Sequence, residues 1–286
     1  MGKLYSTYYP RKLVDTQDLL RIAQSVAGWL PALKRWWEGT DNQGQYRAKA
    51  GQTILDIGCG SGLSLLEAIA MGATAYGIET DPNVRTIAEE LDLNIHIGSL
   101  HDVPFPDVFF DLIVLNQVIE HIPEPGKALD ALRKRLRPDG RIVLAFPNRG
   151  SFWQRLSGER WINWHIPYHL HHFDAVGFKA FAHRHGYRVL TQSTITPNLW
   201  TALQLRALFE TPHRGIPAPQ WQVKSASNMN NRVSQSSTTH TPSLSLRRVL
   251  RYTTRLVVLS GLAILNRAID ALRQGDSLLV ELAVET

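Results

Sequence analysis

The chain has 286 residues, 44% hydrophobic and 20% charged, ordinary globular proportions that exclude a stapled mini-protein and a wholly disordered or collagen-like chain. Its formal net charge of +6 is spread unevenly: residues 1–50 carry 8 Lys/Arg against 4 acids, 51–150 carry 8 against 14, and 151–286 carry 15 against 7. An acidic middle between basic flanks disfavours a nucleic-acid partner, while the flanks suit anionic lipid or an acidic substrate.

The start, MGKLYSTYYPRK, has no apolar run after its basic residues, and no later stretch reaches the roughly 20 apolar residues that cross a bilayer. This predicts neither export nor membrane insertion. Met1-Gly2 with Ser6 also fits the myristoylation pattern, a match too short to carry weight. Leu19, Leu20, Ile22, Ala23, Val26, Trp29 and Leu30 recur at spacings of three and four, Pro31 and the Trp36–Trp37 pair follow them, and residues 1–50 read as a helical N-terminal extension. Next, TILDIGCGSG runs from an apolar strand into a glycine turn, and LSLLEAIAMG reads as a helix closing on Gly72. The single cysteine, Cys59, lies in that turn; it allows no internal disulfide and points to a reducing, cytoplasmic compartment. AYGIE, NIHIGS and DLIVLN read as strands and NVRTIAEELD as a helix. GKALDALRKRLRPDG reads as a helix ending at Pro138 and Gly140, RIVLAFP as a strand, FDAVGFKAFAHRHG as a helix and YRVLTQS as a strand.

Strands alternating with helices at this spacing predict an α/β, doubly wound, Rossmann-like core over 51–195. Residues 196–275 form an acceptor-side insert. Within it the Ser/Asn/Thr/Gln-rich stretch 211–243 reads as mobile, and 244–273 as an amphipathic helix. Residues 276–286 supply a final strand.

The glycine turn Gly58-x-Gly60-x-Gly62 leaves a strand and enters a helix, and Glu79 follows Gly62 by 17 residues at the end of the next strand. Glycines let a ligand approach the backbone, and a carboxylate at that distance accepts from ribose hydroxyls. The GxGxG spacing differs from the dinucleotide GxGxxG. Asp56 at the mouth would repel a pyrophosphate and suit a cation, such as a sulfonium or an α-ammonium.

DIGCGSG and GIETDP, followed by FPDVFFDLIVLNQVIEHIPEPGKALDALRKRLRPDGRIVLAFPN, resemble in order the motifs of the class I S-adenosylmethionine (SAM)-dependent methyltransferases. NQVIEHI and WHIPYHLHHF are similar to elements of the ubiquinone-type O-methyltransferase branch. The resemblance implies a seven-stranded sheet with its last strand antiparallel and SAM as co-substrate at the carboxyl ends of the strands. The implied cofactor contacts draw on Asp56, Gly58, Gly60, Gly62, Glu79, Thr80, Ser99, Leu100 and Asn116. Ser99 stands where family members often place an acid toward the adenine, leaving Ser99, His101 and Asp102 eligible as its polar partner.

Methyl transfer from a sulfonium chiefly needs alignment, but a hydroxyl acceptor must also lose its proton. His169 is the first candidate for that base, with His121 second and Glu120 beside it. The plainer reading of each is structural, a loop held by a ring nitrogen or a capped strand end. Glu120 and His121, with His169 or His171, also form a carboxylate and imidazole set that a divalent metal accepts. Gln117 replaces the first Glu of the branch's metal-holding E-x-x-E-H motif, so no metal is the preferred reading. Trp153, Trp161, Trp164, Tyr168 and Phe173 are candidate acceptor-side aromatics.

Arg247, Arg248, Arg251 and Arg255 precede eleven uncharged residues, Leu256 to Asn266, apolar on nearly every side. A lid or core helix is the first reading for 244–273, a dimer contact or peripheral membrane contact the others. The expectation is a SAM-dependent methyltransferase acting on a small or lipid-like acceptor, most readily at a hydroxyl oxygen. N- or C-methylation, or SAM binding without catalysis, are the alternatives. The sequence leaves the oligomeric state open.

Overall fold

The computed structural model describes residues 15–26, 28–100, 105, 109–209 and 260–285. Seven strands form one sheet: β1 (Thr53–Ile57), β2 (Thr74–Glu79), β3 (Asn94–Ile97), β4 (Phe110–Asn116), β5 (Leu136–Pro147), β6 (Tyr187–Ile195) and β7 (Ser277–Val284). Their order is β3-β2-β1-β4-β5-β7-β6. β7 inserts between β5 and β6, antiparallel to both, and the remaining pairs are parallel. The expected sheet and its antiparallel last strand are thus present.

The central strands are buried on both faces, as a helix-covered parallel sheet requires. Leu55, Ile113 and Leu144 point into one cluster with Leu129 and Leu132 of α5 (Pro125–Arg133) and Phe178 and Ala182 of α7 (Ala175–Arg184). Ile54, Val114 and Val143 point the other way, onto Leu65 and Ala68 of α3 (Leu63–Ala70). On that side α1 (Thr16–Gln24) packs Leu19 and Ala23 against Leu66, and α4 (Arg85–Glu90) contributes Ile87. Side chains begin the helices where the sequence provides them: Asp15 accepts from Gln17 N–H at 2.8 Å and Asp174 from Gly177 N–H at 2.7 Å.

Several boundaries differ from the sequence reading. The N-terminal helix breaks at Gly28 (φ +104°), and α2 (Trp29–Glu38) carries Pro31 in its first turn. An N–H there has no intrahelical partner to lose, so Pro31 belongs to the start of a helix. α5 stops at Arg133, well before Pro138. Leu136 pairs with Phe110 across a bulge, so LRPDG begins β5. Two further helices, α6 (Phe152–Ser157) and α8 (Asn198–Phe209), had no counterpart in the reading. Of the helix expected over 244–273, residues 260–271 are described and helical, here α9. Ala263, Asn266 and Ile269 are buried while Ile264 and Leu265 are exposed, so burial covers one face and not the whole circumference. The stretch 211–243, Met1-Gly2 with Ser6, and Arg247, Arg248, Arg251 and Arg255 lie outside the described residues. No described helix is long and apolar enough to cross a membrane.

Candidate functional site

The turn between β1 and α3 holds Gly58, Gly60 and Gly62 at φ +74°, +54° and +82°. The N–H groups of Gly58 and Cys59 donate to Ile78 O at 2.7 and 3.3 Å, fastening the turn to β2. A Cβ on Gly58 would lie 2.6 Å from Val118 Cγ2, whereas the same position on Gly60 faces open space. Gly58 therefore admits the loop that follows β4, and Gly60 leaves bare backbone for a ligand.

Glu79, closing β2, meets that backbone. Its Oε2 accepts from Gly60 N–H at 3.0 Å, and its Oε1 from Thr80 and Asp81 N–H at 2.7 and 2.9 Å, with Thr80 Oγ1 at 3.3 Å. The carboxylate is thereby aimed across the turn, with lone pairs remaining for hydroxyl donors. Asp56 is buried and accepts from the Ser64 hydroxyl through Oδ2, while its Oδ1 has no hydrogen-bond partner among the described residues. Burial pushes its carboxyl up to about 7. A buried carboxyl with an unused oxygen beside an open turn suits a cation.

After β3, Gly98 N–H donates to Glu79 O at 2.9 Å. Ser99 and Leu100 are half-buried, and Leu100 packs against the core cluster that Val118 and Ile122 also border. His101 and Asp102 lie outside the described residues. At the end of β4, Asn116 turns its amide to the N-terminal extension: Oδ1 accepts from Gly44 N–H at 2.7 Å and Nδ2 donates to Gln45 Oε1 at 2.9 Å. The buried Gln45 in turn donates to Glu67 Oε2 at 2.8 Å, and Tyr46 OH to Glu67 Oε1 at 3.1 Å. Asn116 thus anchors that segment to the end of β4. Sequence reading missed Gln45, Tyr46 and Glu67, since nothing local marks a pairing across more than twenty residues.

A second cluster sits just past β4. Glu120, His121 and His169 bring one carboxylate oxygen and two ring nitrogens within 4.8 Å of one another. Leu170 and His171 N–H donate to Glu120 O at 2.8 and 3.1 Å, pinning the histidine-rich segment over the Glu120 turn. His121 Nδ1 meets Tyr168 O at 2.9 Å and His169 Nδ1 meets Asn163 O at 2.8 Å. A carbonyl only accepts, so both Nδ1 atoms carry protons. Burial lowers His121, and burial with the nearby His121 pushes His169 down to about 3, so both rings are neutral. Glu120 is buried, neither carboxylate oxygen has a hydrogen-bond partner among the described residues, and burial pushes it up to about 8. His165 Nδ1 lies 3.4 Å from His169 Nε2 and was not singled out by the sequence. His171 points to Pro123 O at 3.4 Å. Of the candidate aromatics, Trp153 and Trp161 are core residues packed with Ile269 of α9.

The strand order, the glycine turn and Glu79 are together those of a class I SAM-dependent methyltransferase. The chain belongs to the methyltransferase domain family, whose model matches residues 31–192, and SAM is its co-substrate. It is similar to a ubiquinone biosynthesis O-methyltransferase of Hydrogenovibrio crunogenus, 31% identical over 113 residues, covering 37% of this chain and 46% of that one. A ubiquinone biosynthesis O-methyltransferase of Cereibacter sphaeroides is 32% identical over 129 residues, covering 42% and 52%. The chain spans about half the length of these curated relatives. Among solved structures, coclaurine N-methyltransferase bound to N-methylheliamine and SAH matches with a TM-score of 0.56 at 15% identity, covering 98% of this chain and 81% of that one. That likeness is one of fold.

Proposed function

We propose that this protein transfers the methyl group of SAM to a hydroxyl oxygen of a small or lipid-like acceptor held at Glu120, His121 and His169. The observation that carries this reading is the Glu120 carboxylate, buried against two imidazoles and without a hydrogen-bond partner among the described residues. It lies two residues past Val118, whose side chain abuts Gly58 of the donor turn. The names of the two ubiquinone biosynthesis O-methyltransferases support an oxygen acceptor.

Asp56, Gly60 and Glu79 are the residues that would hold SAM, which supplies the methyl group and an already activated leaving group. In an in-line displacement the oxygen–carbon bond forms as the carbon–sulfur bond breaks, and the acceptor proton must leave. His169, held down to about 3, is a weak proton acceptor. Glu120, at about 8, lies near a working pH and is the better base, with the two imidazoles orienting the hydroxyl. A divalent cation at the same residues is a second reading. A carboxylate with two neutral imidazoles, each anchored through Nδ1 to a backbone carbonyl, is a donor set with its outer hydrogen bonds in place. Bound there, such a cation would lower the pKa of the acceptor hydroxyl.

The test is S-adenosylhomocysteine release in the presence of hydroxylated acceptors, with and without lipid tails. Glu120→Gln is expected to lower kcat by about 10²–10⁴ while S-adenosylhomocysteine binding stays intact; full turnover in that variant would remove the reading. Activity lost to EDTA and restored by Mg²⁺ or Mn²⁺ would select the cation, and activity indifferent to EDTA would select the proton-transfer form.

A further inference from the structure

β6 is an edge strand, paired with β7 alone, and its register slips between Val189 and Thr191, so Leu190 is an extra residue that bends the strand. Where α9 turns toward β7, Arg273 holds φ +59°, a left-handed conformation that glycine takes freely and an arginine adopts at a cost. Both residues line a cavity of about 460 Å³ beside α7, a volume that suits a small molecule. Ala175, Val189 and Leu190 give the cavity an apolar wall, and Gln192 and Ser193 a polar one. Lys179 and Arg273 add two positive charges, and among the described residues no acid lines it. Neither cation has a side-chain partner among the described residues. The acids of the adjoining segments are already engaged: Asp174 caps α7 at Gly177 N–H, Asp270 pairs with Arg267 at 2.7 Å and Glu281 with Arg141 at 2.6 Å. Two like charges on one cavity with no acid to offset them favour an anionic occupant. Gln192 adds a second demand, since its Oε1 is buried without a hydrogen-bond partner among the described residues and calls for a donor.

We propose that this cavity binds the phosphate monoester of a small hydroxylated molecule. Such a group carries a charge of about −1.5 to −2 near neutral pH, which the two cations match. A carboxylate would offset only one of them. The phosphate oxygens accept from the Lys179 ammonium and from the fork of the Arg273 guanidinium. A hydroxyl of the same molecule supplies the donor that Gln192 lacks, and its carbon skeleton lies along Ala175, Val189 and Leu190. The site is separate from that of methyl transfer. β6 stands three strands from β4, about 14 Å across the sheet, and no lining residue belongs to the glycine turn or to the acid–histidine cluster. The cavity therefore does not depend on which atom is methylated.

Calorimetric titration of the full chain with glycerol phosphate, inorganic phosphate and glycerol tests this, with Lys179→Gln/Arg273→Gln beside the unaltered protein. Both side chains are exposed, and S-adenosylhomocysteine binding in the variant reports that it folds. The unaltered protein is expected to bind glycerol phosphate saturably, more tightly than inorganic phosphate and with no detectable heat from glycerol. Saturating S-adenosylhomocysteine is expected to leave that binding unchanged. The variant is expected to bind glycerol phosphate at least about tenfold more weakly, the consequence of losing two charge-assisted contacts. Equal affinity in the two proteins, or no saturable binding of glycerol phosphate, overturns the proposal. So does binding that S-adenosylhomocysteine abolishes, because the phosphate would then occupy the donor site. Inorganic phosphate bound as tightly as glycerol phosphate overturns the assignment of a monoester.

Discussion

Glu79 joins two elements before any ligand arrives. Its carboxylate gathers the N–H groups of Gly60, Thr80 and Asp81, so one side chain fixes the glycine turn to the end of β2. Glu79→Ala is expected to weaken S-adenosylhomocysteine binding by about 1–3 kcal/mol, the cost of removing a charged hydrogen-bond acceptor, read by calorimetric titration. Unchanged affinity would show that the turn and not the carboxylate holds the nucleoside. Glu79 was legible in the sequence because strand length, turn length and helix length fix its distance from the glycines. Asn116 was legible as a position at the end of β4 but not as a contact. Its partners Gly44 and Gln45 lie about seventy residues earlier in the chain, where no periodicity announces them. The acid–histidine cluster falls between these cases. Glu120 and His121 share a motif with visible spacing, whereas the neutrality of His169 is a product of burial that only the fold creates.

Among the elements, those forming the sheet were legible and those closing its far side were not. β1 to β6 repeat apolar runs between turns, a pattern that survives without knowledge of neighbours. α8 inverts the usual rule: Asn198, Thr201 and Gln204 are its buried residues, while Leu199 and Phe209 are exposed. Hydrophobic periodicity cannot find a helix whose buried stripe is polar. That stripe meets buried polar groups of other elements: Asn266 of α9 donates to Asn198 Oδ1 and accepts from Thr201 Oγ1, and Gln204 donates to Arg160 O. Asp276, just before β7, is the neighbouring node, accepting from Ser151 Oγ at 2.6 Å, Trp161 Nε1 at 2.9 Å and Asn163 Nδ2 at 3.2 Å. It thereby ties the last strand to the segment that delivers His169. Asp276→Ala strands three donors in a buried setting and is expected to destabilise the fold by about 3 kcal/mol. Urea unfolding should show a lower midpoint with an unchanged slope. A loss under about 0.5 kcal/mol would mean that water replaces the carboxylate without penalty.

For the molecule as a whole, the donor site should make stability and ligand binding depend oppositely on pH. Asp56 is raised from its ordinary 3.8 to about 7 because burial disfavours its charged form. A carboxyl raised in the folded state holds its proton more tightly there than in the unfolded chain. Its contribution to stability is therefore complete below the ordinary value and is lost as pH rises toward about 7, at up to about 1.4 kcal/mol per pH unit. Asp276, raised to about 6 by burial, acts in the same direction, so the Asp56 share is isolated by comparison with Asp56→Asn. Ligand binding should run the other way. An ionised Asp56 with an unused Oδ1 attracts a cation, so affinity for SAM is expected to rise with pH up to about 7 in the unaltered protein and to stay flat in Asp56→Asn. Calorimetric titrations across that interval check the slope, and a flat profile in both proteins would remove Asp56 from the donor site. S-adenosylhomocysteine carries the α-ammonium but no sulfonium, so it identifies the partner. A slope that persists with it assigns Asp56 to the ammonium, and a slope seen only with SAM assigns it to the sulfonium.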